Sequence, residues 1–455
     1  MSASHEANWD RLGEFVAKVI EEKGVPGVAV GILHKGEPVT AGFGVTNVDH
    51  PLPVTDETLF QIGSITKTFT GTAIMRLVEM GKLDLDATVR TYVPDFKVSD
   101  ETAASQATIR HLLTHMGGWA GDFFDDTGAG DDALARYVAN MADLEQLAPL
   151  GTVWSYNNAG FSLAGYVIEM VTDKSYQAAL KELVLEPLGL NHCYFEPGDV
   201  MTYRFAVGHN VSEEGAQVAR PWPLPRSIYP AGGITCHVKE LLRYARFHLG
   251  DGTTEDGTKL LTPESLSQMH SPQVTIWGSE AWGLTWAVDE THGTRQLSHG
   301  GGTTGQVSLL LLIPEHDFAI AILTNADRGG FVTDDVSRWA LKRYLGLEIP
   351  DPTPLESSEE QLATYVGRYS RPFADIELGI LGGRLVGQMI YKGSFPTKDL
   401  PPPPAPPPMS LALCEKDRLL VLDGPFKRAK AEIVRKPDGS IGWLRASGRI
   451  HVREA

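Results

Sequence analysis

The sequence predicts a two-part chain, a mixed α/β region over residues 1–350 followed by an all-β region over 361–455, joined by a linker at 351–360. Three observations predict it. At 455 residues the chain exceeds the length at which single cores stop growing, about 250–300 residues. Strand-like segments lie near residue 30 and again near 280–324, with helical periodicity between them, so a mixed sheet must be closed by distant parts of the chain beside a helical region. Beyond PDPTPLESSEE the text turns into short alternating stretches separated by Gly, Asp and Lys turns.

Taken in order, residues 1–20 read as an amphipathic helix, with no basic stretch leading into an apolar one, so a cytoplasmic protein is expected. Residues 26–43 form a hairpin around a Lys-Gly turn. From Ser64 a helix places Phe69, Ile74, Leu77 and Val78 on one face and stops at Gly81. Helices are expected at 107–115, 131–142, 159–172 and 176–185, and strands at 281–288, 305–313 and 317–324. The proline-rich, acidic linker cannot pack into either core. The tail carries strand-like runs at 365–370, 375–381, 384–391, 409–414, 418–423, 430–435 and 442–451, as in a small barrel. Its PPPPAPPP run at 401–408 must be polyproline II, in a surface loop joining two strands.

With 42% hydrophobic and 21% charged residues the composition is globular, and a net charge of −17 opposes nucleic acid and anionic lipid as partners. No run is long and apolar enough to span a membrane; Ser308 to Leu323 is broken by Pro314, Glu315, His316 and Asp317. Cys193, Cys236 and Cys414 fit neither a disulfide framework nor a zinc ribbon and are expected in the core.

Three elements carry chemistry. QIGSITKTFT holds Ser64 and Lys67 three apart at a helix start, where one helix face brings hydroxyl and amine together and free N–H groups favour an oxyanion. WSYNNAGFSLAGYVIEM holds Tyr156, a phenol able to shuttle a proton, and Asn158, which either holds Lys67 and a substrate carbonyl or caps the following helix. QLSHGGGTTGQ holds His299, able to give a cation or a hydrogen bond, and Gly300, Gly301 and Gly302, which let a substrate backbone approach. Alone, each has a plain structural explanation.

In the order S-x-x-K, Y-x-N, H-G-G, the set resembles the penicillin-recognising serine hydrolases: class C β-lactamases, DD-peptidases, D-aminopeptidases and related esterases. The resemblance covers residues 10–345 and extends to the phrases LFQIGSITKTFTGTAIMRLVEMGKLDLD, TIRHLLTHMGGW, LEPLGL and AGGITCHVKEL. It implies an antiparallel sheet flanked by helices, a helical subdomain and a lipocalin-like tail. It further implies Ser64 as acylated nucleophile, Lys67 as its base and Tyr156 as proton shuttle. Asn158 would orient the substrate, His299 would stand where the family's third-motif lysine usually stands, and Ser64 and Gly302 N–H groups would form the oxyanion hole beside Gly301. No metal or other cofactor is implied. The substrate would be a small molecule or short peptide, and a homo-oligomer is compatible. Because His299 replaces that lysine, a peptidase or esterase ranks above a true β-lactamase.

Three other readings compete. An α/β-hydrolase needs its glycine loop before the serine, whereas here His299–Gly302 follows Ser64, and Gly160–Ala164 is an imperfect elbow. A zinc site on His111 and His115 lacks the glutamate of H-E-x-x-H. A catalytically silent binding protein would be expected to have lost Ser64, Lys67 or Tyr156. The acidic loop 117–131 favours a substrate with a free amino group.

Overall fold

A computed structural model describes residues 3–290 and 293–454. Its larger region is built on an eight-stranded sheet ordered Glu37–Gly44, Gly27–His34, Phe318–Thr324, Gln306–Ile313, Gln296–Thr303, Ala287–Asp289, Glu280–Trp282 and Val274–Trp277. Every pairing in it is antiparallel, so the sheet is not mixed in strand direction. The first hairpin turns on Lys35 and Gly36, both at positive φ, which matches the twist of the flanking strands.

The strand Gly27–His34 is apolar on both sides because both faces of the sheet are covered. Val28, Val30 and Ile32 pack with Ile320 and Ile322 under the helices Ala3–Lys23 and Gly329–Ala340. Ala29 and Leu33 join the opposite core with Leu310, Leu312 and the helices Thr66–Glu79 and Val238–Leu249. The helix after Ser64 departs from the expected single apolar face. Eleven of its residues are buried, including Thr68, Thr70 and Thr72, whose hydroxyls are satisfied by backbone carbonyls one turn back and by Tyr176 and Tyr244. Ser64 itself precedes the α-helix, in the 3₁₀ turn Gly63–Ile65.

The segment 281–288 is two strands rather than one. The chain dips inward at Gly283–Thr285, where Thr285 adopts a left-handed φ and packs so close to Gly71 that a side chain there would clash. Of the cysteines, all free, only Cys236 is fully buried; Cys193, its cross-strand partner, and Cys414 are half-buried at their element edges.

Residues 346–358 carry no helix or strand. After the short helix Glu359–Ala363, which alternation did not signal, eight sequential antiparallel strands close into a barrel, the first, Gly367–Arg371, pairing with the last, Arg449–Arg453. Tyr369, Leu385, Leu419 and Leu444 fill it. The proline run lies in the connection between Arg384–Tyr391 and Met409–Glu415 and is mostly exposed. The stretch 442–451 divides into Ile441–Ala446 and Arg449–Arg453, because Ser447 and Gly448 both take positive φ in a two-residue turn. That turn docks on the larger region: Tyr156 N donates to Gly448 O at 2.8 Å, Ile450 N to Ser155 Oγ at 3.3 Å, and Trp443 Nε1 to Leu147 O at 2.8 Å.

Candidate active site

Gly63 gives the chain its sharp entry into the Ser64 turn, at φ +50°. A Cβ at Gly63 would stand 2.7 Å from Gly302 N, and one at Gly301 would stand 1.9 Å from Ile62 O, so two glycines allow the Ser64 turn and the strand Gln296–Thr303 to touch backbone to backbone. A side chain on Gly302, by contrast, would meet nothing within 4 Å and point into open space.

The helix Asn158–Thr172 is capped by Asn157, whose side chain accepts from Gly160 N at 2.8 Å. Asn158 is therefore not the cap, and its amide is free to face Lys67. Lys67 is fully buried, with Nζ 3.1 Å from Ser64 Oγ, 2.8 Å from Asn158 Oδ1 and 2.6 Å from Ala231 O. Burial, and then the positive charge of Arg449, drive its pKa well below the ordinary lysine value, while Asp122 opposes them. In the neutral amine both N–H bonds are taken by the two carbonyl oxygens, which leaves the lone pair directed at the Ser64 hydroxyl.

Asp122 fixes that arrangement. A carboxylate only accepts, so Asn158 must turn its NH₂ toward Asp122 Oδ1, 2.7 Å away, and its oxygen toward Lys67. The Asp122 side chain is only 5% exposed; burial alone would raise its pKa, but Arg449 and Arg371 hold it well below the carboxylate range. Arg371 donates to Asp122 Oδ2 at 2.7 Å and to His451 Nε2 at 3.0 Å, and Arg449 Nε lies 3.4 Å from the same carboxylate oxygen. Both arginines come from the barrel. Within loop 117–131, Asp125 faces Lys398 and Asn140 and Asp131 faces Arg226, while the exposed Asp126 accepts from Gly128 N.

The Tyr156 hydroxyl is buried and faces the Ser64 side chain. Burial pushes the phenol well above its ordinary pKa, and Arg449 and Ser64 pull it only part of the way back, so it rests protonated. Its ring lies 4.3 Å from that of His115, whose Nδ1 accepts from Asn157 N at 3.0 Å. His111 Nδ1 instead accepts from Thr108 N at 3.1 Å. The two histidines thus serve separate backbone groups and do not converge on a metal. Ser162, the serine of the elbow-like sequence, is buried inside a helix.

His299 is not a cation. Its Nδ1 lies 2.7 Å from Gly300 O, which can only accept, so the ring proton sits on Nδ1 and Nε2 presents a lone pair. Burial, with Lys67 adding to it, pushes its pKa down to about 3. The cluster His192, His237 and Glu240 has the donor types of a metal site. Within it, His237 Nδ1 accepts from Glu240 N at the helix start, and the Glu240 carboxylate accepts from the His192 backbone N–H and faces Arg243.

Ser64, Tyr156, His299, Trp282, Phe373 and Arg449 line one cavity of about 610 Å³, walled by both regions of the chain. The structure therefore brings Ser64, Lys67, Tyr156, Asn158, His299, Gly301 and Gly302 together. Sequence reasoning missed Asp122, Arg371 and Arg449, since isolated charged residues in loops and short strands carry no spacing signal.

The β-lactamase family model matches residues 12–343. The chain belongs to this family. Penicillin-binding protein 4 of Amycolatopsis lactamdurans is 35% identical over 363 residues, 77% of this chain and 94% of that protein. A β-lactamase of Providencia stuartii is 28% identical over 52% of this chain and 59% of its own length. Among solved structures, SurE superposes with a TM-score of 0.76 at 24% identity over 99% of this chain and 100% of that one. An octameric penicillin-binding protein homologue from Pyrococcus abyssi does so with 0.68 at 26% over 98% and 99%. A class C β-lactamase from Rhodobacter sphaeroides superposes with a TM-score of 0.61 at 22% identity over 76% of this chain and 100% of that one. The family is one of serine hydrolases built on this mixed α/β fold, and no described helix is long and apolar enough to cross a membrane.

Proposed function

We propose that this protein cleaves amide or ester bonds through an acyl-enzyme on Ser64, as a peptidase or esterase acting on small or short-peptide substrates that end in an acidic group. The observation that carries the reading is the buried Lys67 amine, held by Asn158 Oδ1 and Ala231 O with Nζ 3.1 Å from Ser64 Oγ, on a cavity large enough for such a substrate.

Lys67 takes the hydroxyl proton as Ser64 Oγ attacks the carbonyl carbon. The oxyanion is received by the N–H groups of Ser64 and Gly302. The protonated Tyr156 phenol gives its proton to the departing amine or alkoxide and regains one from Lys67. Water then enters, loses its proton along the same route and releases the acid. Lys67 is the principal base in this reading because burial and Arg449 push the amine's pKa down while burial pushes the phenol's up.

The acidic end follows from charge. Arg371 and Arg449 stand against the single Asp122, leaving one uncompensated positive charge beside the cavity. His299 offers a lone pair instead, suited to a substrate N–H, and lacks the cation of the usual third motif. The uncompensated charge favours a carboxypeptidase-like or esterase specificity for substrates with a terminal carboxylate. A homo-oligomer fits the octameric relative in shape, and light scattering behind size exclusion reads it directly.

A fluorophosphonate is expected to label Ser64, located by peptide mapping, and nitrophenyl esters and D- and L-peptides are expected to turn over faster with a free terminal carboxylate. Ser64→Ala should abolish both; retention of more than about a tenth of the activity would exclude Ser64 as nucleophile. A wild-type protein that never becomes labelled would favour a silent binding protein.

A further inference from the structure

The glycine-rich strand brings no positive charge to the site, and the barrel does. Its hairpin turn Ser447–Gly448 presses on the motif segment: a Cβ at Gly448 would lie 3.2 Å from the Trp154 ring and 3.5 Å from Tyr156 Cβ. Backbone bonds from Tyr156 to Gly448 and from Ile450 to Ser155 hold the turn on both sides of Arg449. Arg449 Cζ then lies 4.5 Å from the centroid of the Tyr156 ring, while Lys67 Nζ lies 4.9 Å from the same centroid. Arg449 also reaches Asp122, which orders Asn158 and through it Lys67.

We propose that Arg449 is a positioning residue for the acyl transfer. It locks the Tyr156 ring and the Asp122–Asn158–Lys67 chain, and it brings a positive charge to the ring that Lys67 also contacts, a charge the neutral His299 does not bring. The proposal rests on the reading of Ser64, Lys67 and Tyr156 given above.

The groups facing Lys67 can be taken element by element. Tyr156 and Asn158 come from the motif segment, His115 from the preceding helix turn, His299 from the glycine strand, Asp122 from its loop, and Arg449 and Arg371 from the barrel. His115 and His299 are kept neutral, mainly by burial. Asp122 alone favours a proton on Lys67, and two arginines share it. After burial, Arg449 is the largest influence lowering the Lys67 pKa, which agrees with the geometry.

The test is the rate of Ser64 labelling by an uncharged fluorophosphonate between pH 5 and 10, which needs no carboxylate on the probe. Arg449→Gln is expected to slow labelling about tenfold or more at pH 7 and to raise the acid-side midpoint by about one pH unit. Arg449→Lys should keep the midpoint near wild type, because the charge remains, yet recover only part of the rate, because the planar fork and ring contact are lost. Asp122→Asn should move the midpoint down. If Arg449→Gln labels slowly with an unmoved midpoint, the residue is merely structural and the inference fails. Should Arg449→Gln not fold, Asp122→Asn decides, and an unmoved or raised midpoint overturns the proposal. Wild-type protein that never becomes labelled would sink the underlying function instead.

Discussion

The two walls of the cavity differ in the kind of chemistry they can do. The glycine strand contributes backbone and one imidazole, uncharged and with its proton turned away toward Gly300 O. The barrel wall contributes two guanidinium groups that share one carboxylate. Electrostatic character at this site is thus set by the appended region, and the motif-bearing region supplies reacting groups and shape.

The largest effect should come from breaking the charged wall at its centre. Asp122→Ala leaves Arg371 and Arg449 facing each other without their acid and releases Asn158; removing one partner of a buried ion pair costs about 3–5 kcal/mol, so a clear fall in the urea midpoint is expected together with lost turnover. A variant as stable as wild type would mean that the arginines are paired elsewhere. A smaller effect should come from the neutral wall. His299→Ala should lower kcat/KM by about tenfold or less, equally for acidic-ended and neutral-ended esters, whereas Arg371→Ala should penalise the acidic-ended ester more. Equal penalties for both substrates in Arg371→Ala would break the distinction between the walls.

The smallest effect is on acid stability. His299 and His451 have folded pKa values near 3, mainly through burial, below an unfolded value of about 6.5. The unfolded chain therefore binds more protons than the folded one as pH falls from 6.5 toward 3, and stability must fall with it. Asp122 acts in the same sense but at lower pH: its stabilisation is present above the unfolded carboxylate pKa and is lost below about pH 4. Melting temperature should consequently decline below pH 6.5, and His299→Gln should flatten that decline. A flat profile from pH 7 to 4.5 in the wild type would contradict the buried neutral histidines.

Legibility followed from whether a residue's neighbours in sequence are also its partners in space. Ser64 and Lys67 share a turn, and Tyr156 with Asn158 opens a helix, so local spacing exposed them. The barrel strands were visible because one side of each faces an apolar interior. Adjacent asparagines hid the true cap, since Asn157 and Asn158 have the same capping chemistry and only the fold decides between them. The helix after Ser64 hid its burial because its threonines are paired internally, which no hydrophobic period reports. Asp122, Arg371 and Arg449 meet only after two regions dock, and nothing in their local sequence marks them.

The docked turn at Ser447–Gly448 has a temporal consequence. Translation proceeds from the N-terminus, and Ser64 leaves the ribosome long before Arg449 is made. A partly synthesised chain therefore carries the Ser64 hydroxyl and the Lys67 amine side by side before the guanidinium that packs against Tyr156 exists.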